Sequence, residues 1–173
     1  MGRAAELHGV ELMEEDARDL AAAVALPAFG AQTARKAVKM LLESGPRYRE
    51  PSVRERVALT IAFARHGMVL YGAAFDLVRA PPDLDLADAR IIEARLQEVT
   101  LCEIKSTSRA NLKADFSDYF FSLTTAELLV AQKLDRRYVF VLINTATGAS
   151  QEMSLDALLA RAKGIYPSWS VKF

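Results

Sequence analysis

Val99-Thr100-Leu101-Cys102-Glu103-Ile104-Lys105-Ser106-Thr107 is the stretch that decides the fold, because it predicts a β-strand at the centre of a sheet. The run is rich in β-forming residues and apolar on both sides. Glu103 and Lys105 stand two positions apart, and side chains at that spacing point to the same face of a strand. A buried carboxylate and ammonium are unfavourable unless they pair, coordinate a metal or meet a charged substrate. The strand therefore predicts a functional site on one face of the sheet.

The residues around this strand predict helices first and then strands that alternate with helices. Helical spacing and capping residues favour helices over 10–26, 31–44, 52–66, 124–135 and 154–163, and apolar runs favour strands over 68–71, 74–79, 119–123, 138–143 and 169–173. Residues 87–97 fit either a short helix or a strand. The order predicts an α/β or α+β domain of three layers, with a central mixed sheet flanked by helices. We divide the chain into an N-terminal helical segment, 1–50, and a domain over 51–173.

Length and composition indicate one folded domain in a reducing compartment. The chain has 173 residues, of which 51% are hydrophobic and 25% charged, as in ordinary globular proteins. It has no apolar run of about 18 residues and no secretory leader pattern, so we expect a cytoplasmic protein that does not enter membranes. The single cysteine, Cys102, is expected in the core. With only His8 and His66 besides it, a metal site built on cysteine and histidine is not expected.

Charge is unevenly distributed, although the 22 basic and 22 acidic side chains balance. Residues 1–30 carry two basic and six acidic side chains, whereas residues 35–65 carry eight basic and three acidic ones. A basic segment in a neutral protein can form a phosphate-binding face, for which Arg35, Lys36 and Lys39 are candidates. From charge alone, a solvated helix face is the simpler explanation. We interpret the segment 1–50 as either a nucleic-acid surface or a dimer surface.

Asp76 is the candidate partner of the two charges on the predicted central strand. It lies in Ala74-Phe75-Asp76-Leu77-Val78, an otherwise apolar strand, where a lone charge is again unfavourable. If the strands are neighbours, Asp76 and Glu103 can converge on one divalent cation, with the Ile104 carbonyl as a third oxygen ligand. Lys105 would then orient or deprotonate an attacking water. Three acids farther along could supply the first ligand instead: Asp83, Asp85 and Asp88.

A longer pattern of residues resembles a known family. Its segments are Phe75-Asp76-Leu77, Cys102-Glu103-Ile104-Lys105-Ser106-Thr107-Ser108, Phe121-Ser122-Leu123-Thr124-Thr125-Ala126-Glu127, Ala131 and Tyr138-Val139-Phe140-Val141. The pattern is similar to the PD-(D/E)XK, or restriction-endonuclease-like, nuclease superfamily. Within it the chain resembles a subgroup of bacterial restriction and defence proteins with the motif YDI…IEVKTT…F-x-I-T-x-N-E…A…Y…V. The match spans residues 52–144 and departs from the subgroup at Ala126, where the motif has Asn.

The resemblance implies a restriction-endonuclease-like domain that hydrolyses phosphodiester bonds in DNA with Mg²⁺, or with Mn²⁺ as a substitute. It implies Asp76 and Glu103 as metal ligands, Lys105 as the catalytic lysine and Glu55 as a supporting glutamate on the preceding helix. It also implies a homodimer and a setting in restriction or phage defence. Two alternatives stay open: an inactive relative that binds nucleic acid or serves as an assembly subunit, and a phosphodiesterase for RNA or a small nucleotide.

Simpler roles compete at several of these positions. Glu55 fits a capping box that begins at Ser52, and Glu127 fits one that begins at Thr124, where capping is favoured over metal binding. Four residues that end or follow the central strand could contact nucleic-acid phosphates, although a flexible surface loop explains them as simply: Ser106, Arg109, Asn111 and Lys113.

Overall fold

The elements of the fold are given by a computed structural model, which describes residues 27–71 and 74–166. The helices are α1 (Pro27–Ser44), α2 (Val53–Arg65), α3 (Ala89–Ala94), α4 (Thr125–Leu134) and α5 (Leu155–Arg161). The strands are β1 (Tyr48–Arg49), β2 (Leu77–Arg79), β3 (Thr100–Thr107), β4 (Tyr138–Asn144) and β5 (Ser150–Met153). The predicted helix 10–26 and edge strand 169–173 lie outside the described residues. Within the described part, no helix has the length and apolar character that crossing a membrane requires.

The five strands form one mixed sheet in the order β1-β2-β3-β4-β5, so that β3 is the middle strand. Neighbouring strands are antiparallel except for β3 and β4, which are parallel. A parallel pair needs a crossover connection, and α4 lies in the connection between these two strands. The central position of the run 99–107 and the mixed sheet with helices, both predicted from the sequence, are confirmed.

Helices cover both faces of the sheet, and the alternation of side chains along β3 decides what each face meets. Cys102 and Ile104 point to the face that packs under α1. Leu101 points to the opposite face, where α2, α3, α4 and α5 share a second apolar core. By the same alternation, Glu103 and Lys105 face this second helical layer.

The described part of the predicted N-terminal segment packs on the same sheet. Ala37 and Leu41 of α1 are buried against Cys102, whose predicted place in the core is confirmed. β1 pairs with β2, with Tyr48 opposite Arg79. Residues 27–50 therefore supply a helical layer and an edge strand, and the role of segment 1–50 as a binding surface stays a prediction.

Two capping boxes fix where the helices around the site begin. Ser52 Oγ accepts a hydrogen bond from the Glu55 amide at 3.3 Å, and Glu55 Oε2 accepts one from the Ser52 amide at 2.7 Å. Thr124 and Glu127 form the same reciprocal pair before α4, at 3.2 and 3.0 Å. Such boxes satisfy backbone donors that have no partner in the first helical turn. Both predicted helix starts are confirmed.

Two predicted strands are wrong. Residues 68–71 keep the burial alternation of a strand, with Met68 and Leu70 buried, but β2 already has β1 and β3 on its two sides. Residues 119–123 follow Phe116 and Asp118, whose φ angles of 59° and 63° bend the chain. Burial against the core, rather than strand pairing, therefore produces the apolar pattern in both places.

Other elements also differ from the sequence prediction. The run 74–79 contributes only the three residues of β2, and the ambiguous run 87–97 forms α3 and a 3₁₀ turn over Leu96–Glu98. β1 and β5 were not predicted, because strands of two and four residues are too short to show a periodic pattern.

Glu152 links strands from the two edges of the sheet on the α1 face. Its carboxylate accepts a hydrogen bond from the Tyr48 hydroxyl of β1 and from Arg79 Nη1 of β2, the latter at 2.6 Å, while Glu152 itself lies on β5. Burial and the bond to Glu152 raise the pKa of Tyr48 to about 12. The hydroxyl therefore stays protonated and continues to donate across the neutral pH range.

Glu152→Ala is expected to lower the free energy of unfolding by about 1–2 kcal/mol, because it removes the acceptor shared by Tyr48 and Arg79. Glu152→Gln keeps one acceptor oxygen and should lose less. Urea denaturation followed by circular dichroism measures both, with Glu50→Ala, a change at an exposed position beside β1, as the control. An unchanged midpoint for Glu152→Ala would mean that the link contributes nothing to stability.

Candidate functional site

The two charged side chains of β3 meet a third on helix α4. Lys105 Nζ donates to Glu103 Oε1 at 3.0 Å and to Glu127 Oε2 at 2.8 Å. All three side chains are nearly buried, with exposures of 11%, 10% and 7% for Lys105, Glu103 and Glu127. One ammonium is thus shared by two carboxylates at the centre of the sheet.

Asp76 is held against the same part of β3. Its amide donates to the Cys102 carbonyl at 2.9 Å, and its Oδ2 accepts from the Ile104 amide at 2.8 Å. Leu77 pairs with Cys102, and continuing this antiparallel register one residue places Asp76 opposite Glu103. The structure therefore brings together Asp76, Glu103 and Lys105, as the sequence predicts, and adds Glu127.

Negative charge exceeds positive charge among these four residues. Three carboxyl groups face one ammonium, and burial is the largest cause of the pKa shifts of Asp76 and Glu103. Burial raises the pKa of Asp76, opposed by its bond from the Ile104 amide and by the charge of Lys105. Burial also raises the pKa of Glu103 to about 8, against the attraction of Lys105 and with the repulsion of Asp76 and Glu127. The arrangement therefore favours either protonation or a further cation.

Arg56 supports this site from α2, a role that the sequence analysis missed. Its Nη1 donates to the Phe75 carbonyl at 2.9 Å and its Nη2 to the Asp76 carbonyl at 3.2 Å. The guanidinium lies over the Phe75 ring, 4.6 Å from its centroid, and its charge is among those that lower the pKa of Asp76. Nothing in the sequence distinguishes Arg56 from the neighbouring arginines, because its role depends on how α2 crosses the start of β2.

Arg56→Ala is expected to lower the free energy of unfolding by about 2 kcal/mol, since two charged donors to backbone carbonyls and a ring contact are lost. Arg56→Lys should recover only part of this, because an ammonium cannot reproduce the two-pronged geometry of a guanidinium. Arg54→Ala, on the exposed side of the same helix, is the matched control. Urea midpoints that fall equally for Arg54→Ala and Arg56→Ala would contradict the assignment.

The other acidic candidates have local roles. Glu55 Oε2 accepts bonds from both the amide and the hydroxyl of Ser52, so its carboxylate completes the capping box of α2. Asp83 pairs with Arg95 at 2.7 Å. The two remaining acids accept bonds from backbone amides two residues ahead: Asp85 and Asp88. Of the four aspartates considered as first ligand, Asp76 is the one that the structure bonds to β3.

Two of the predicted phosphate-contacting residues lie at the edge where β3 and β4 end. Lys36 Nζ of α1 donates to the Thr145 carbonyl at 2.8 Å, and the Thr145 amide donates to Thr107 at the end of β3. Asn144 Nδ2 donates to the Arg109 carbonyl at 2.8 Å. These bonds bring Lys36 of α1 and Arg109 of the following loop to one edge of the sheet.

The remaining predicted phosphate contacts are more dispersed. Arg35 and Lys39 are exposed on α1, where Lys39 lies 3.7 Å from Glu43. Asn111 and Lys113 are exposed in the loop after β3, whereas Ser106 is half-buried, and its carbonyl accepts a bond from the Tyr119 hydroxyl. Their binding of nucleic acid stays a prediction.

Oxygen donors at the site match the preference of Mg²⁺. Within residues 27–71 and 74–166, no group of three or more His, Cys, Asp or Glu side chains is arranged to hold a metal ion. Mg²⁺, however, is usually bound by one or two carboxylates together with water and substrate oxygens. Asp76, Glu103 and the Ile104 carbonyl provide that donor chemistry, and the excess negative charge favours a cation there.

Comparison of the chain with protein-family models, with curated proteins and with solved structures finds no match. The resemblance to restriction-endonuclease-like nucleases therefore stays a prediction from the motif residues.

Proposed function

We propose that this chain is a Mg²⁺-dependent nuclease of the restriction-endonuclease-like fold that hydrolyses phosphodiester bonds in DNA. The observation that carries the proposal is the largely buried cluster that Asp76 and Glu127 form with Glu103 and Lys105 of the middle strand. The topology supports it: three antiparallel strands lead into a helical crossover and a fourth strand parallel to the third. Glu103 and Lys105 lie on β3, and Asp76 directly precedes β2, which supports the motif resemblance.

The free-energy cost of burying unpaired charge supports a functional rather than a structural role for this cluster. A buried ion pair that serves only the fold is expected to be neutral, because each unpaired buried charge is strongly destabilising. Here one ammonium faces three carboxylates, and the pKa of Glu103 is raised to about 8. A bound divalent cation would offset this imbalance, which supports the interpretation of the cluster as a cation site.

Asp76, Glu103 and the Ile104 carbonyl would hold the cation. Mg²⁺, or Mn²⁺ in its place, supplies polarisation of the scissile phosphate and stabilisation of the leaving oxygen. Lys105 stands beside Glu103, where its ammonium orients the attacking water and balances phosphate charge. Arg56 keeps the backbone of Asp76 in place. Lys36 and Arg109, near the end of β3 and β4, are our candidates for contacts with the phosphates of the bound strand.

Cleavage assays on plasmid DNA, single-stranded DNA and RNA test the proposal directly. We expect plasmid cleavage with Mg²⁺ or Mn²⁺, none with EDTA, and a loss of about 100-fold or more in Asp76→Asn. Asp135→Asn, at an exposed position beyond α4, is the matched control and should cleave normally. Full activity of Asp76→Asn would refute its assignment as a metal ligand. Cleavage of RNA but not of DNA would show that the substrate is RNA. Cleavage in a cytoplasmic restriction or phage-defence setting, and by a homodimer, is part of the same proposal.

An inactive nucleic-acid-binding or assembly subunit is the second candidate. It is favoured by the bonds of Lys105 to Glu103 and Glu127, which already pair the ammonium within the protein. Titration calorimetry with Mn²⁺ separates the two candidates. Binding that disappears in Glu103→Gln supports the nuclease, whereas DNA binding without any Glu103-dependent metal binding supports the inactive subunit.

A further inference from the structure

Glu127 performs two tasks with one oxygen atom. Its Oε2 accepts a hydrogen bond from the Thr124 amide at 3.0 Å and another from Lys105 Nζ at 2.8 Å. Capping the helix does not require a carboxylate, because glutamine is also found at this position of a capping box. A negative charge that is 7% exposed, in a site already rich in negative charge, is therefore unexplained by capping alone.

Lys105 needs a partner that does not bind the cation. Two of its three ammonium donors go to Glu103 and Glu127. Once the Glu103 carboxylate ligates a divalent ion, its negative charge is shared with that ion, which also repels the ammonium. Glu127, whose Oε2 is also held by the Thr124 backbone amide, is free of the cation and can keep its bond to Lys105 in that state.

We infer that Glu127 is the positioning residue for Lys105, holding its ammonium at the site while the Glu103 carboxylate is engaged by a cation. This inference rests on the proposed function, in which Lys105 acts on water and substrate. It assigns to α4 a role besides the crossover: the helix carries the anchor that sets where the ammonium stands above β3.

Two variants distinguish the capping role of Glu127 from its role in holding Lys105. Glu127→Gln keeps a capping side chain and removes the charge that holds Lys105. Thr124→Ala removes the other half of the capping box and leaves the Glu127 carboxylate in place. We expect Glu127→Gln to lower kcat for plasmid cleavage by about 10-fold to 100-fold, with KM for DNA and affinity for Mn²⁺ nearly unchanged. Thr124→Ala should lower the urea midpoint and leave kcat within about twofold.

A second readout does not depend on activity. Acetylation of Lys105 by an activated ester, followed by mass spectrometry, measures how firmly its amine is held. With Mn²⁺ present, Lys105 in Glu127→Gln should react faster than in the wild type, and Lys105 in Thr124→Ala should not. Exposed Lys133 serves as the internal reference in each sample.

The outcomes distinguish this inference from the proposed function. If the wild type cleaves DNA while Glu127→Gln keeps its kcat and its Lys105 labelling rate, Glu127 only caps the helix and the inference is overturned, whereas the nuclease stands. If the wild type cleaves nothing, the proposed function fails, and labelling still decides the contact: faster acetylation of Lys105 in Glu127→Gln supports the anchor, and equal rates overturn it.

Discussion

Lys105→Met is expected to lower DNA cleavage by about 10²-fold to 10⁴-fold and to weaken the fold at the same time. The activity falls because the ammonium that orients the attacking water is gone. The fold weakens because Glu103 and Glu127 lose their shared cation, and breaking a buried pair typically costs about 3–5 kcal/mol. Part of this cost is relieved by protonation of Glu103, whose pKa is raised to about 8 even with Lys105 present.

The pH dependence of that variant has a definite sign. Removing the Lys105 ammonium raises the folded-state pKa of Glu103 further above its unfolded value. Stability is therefore retained at low pH and lost as the pH rises. Urea denaturation of Lys105→Met should therefore give a larger deficit at about pH 8.5 than at about pH 5.5. Lys133→Met, at an exposed position on α4, is the control for both stability and cleavage. Retention of full cleavage by Lys105→Met would exclude the assigned role of the lysine.

Glu103→Gln is expected to be more stable than the wild type without metal, and the addition of metal is expected to offset or reverse this difference. The folded-state pKa of Glu103, about 8, lies above the ordinary glutamate value of 4.5, so its contribution to stability is full at low pH and disappears as the pH rises through about 8. The amide can still accept a bond from Lys105 and carries no charge. Without metal at about pH 9, Glu103→Gln should be more stable than the wild type by roughly 1–3 kcal/mol.

Addition of Mn²⁺ should stabilise the wild type and leave Glu103→Gln unchanged. A ligand at about 100 times its dissociation constant contributes about 2.7 kcal/mol, which is enough to offset or reverse the metal-free difference. Urea midpoints at about pH 6 and about pH 9, with EDTA or with Mn²⁺, measure the whole pattern. Glu93→Gln, which changes a surface pair with Arg65, is the matched control. A wild type that ignores Mn²⁺ would count against the metal site as such.

Local signals account for what could be predicted from the sequence. The run that contains Glu103 and Lys105 combines strand-forming residues with an apolar setting, and it forms the middle strand. Ser52 with Glu55, and Thr124 with Glu127, are three residues apart, and both pairs form the capping boxes that this spacing predicts. In each case the deciding contacts are made within one strand or one helical turn.

Contacts between elements explain what could not be predicted. Glu127 was interpreted as a cap, and its bond to Lys105 crosses 22 positions because α4 packs over β3. Arg56 reaches the Asp76 carbonyl 20 positions away through the crossing of α2. Contacts between residues so far apart in the sequence produce no periodic pattern from which they could be predicted. The same holds for Glu152, whose partners Tyr48 and Arg79 lie at the far side of the sheet.

The burial of Cys102 makes the reactivity of its thiol a measure of how often the surrounding structure opens. The residue is 0% exposed beneath α1, and burial raises the pKa of its thiol to about 12. A thiol that is neither ionised nor accessible reacts with alkylating reagents only after the structure around it opens. Because the chain has one cysteine, the rate of its alkylation measures how often the α1 face of the sheet becomes exposed, without any introduced label.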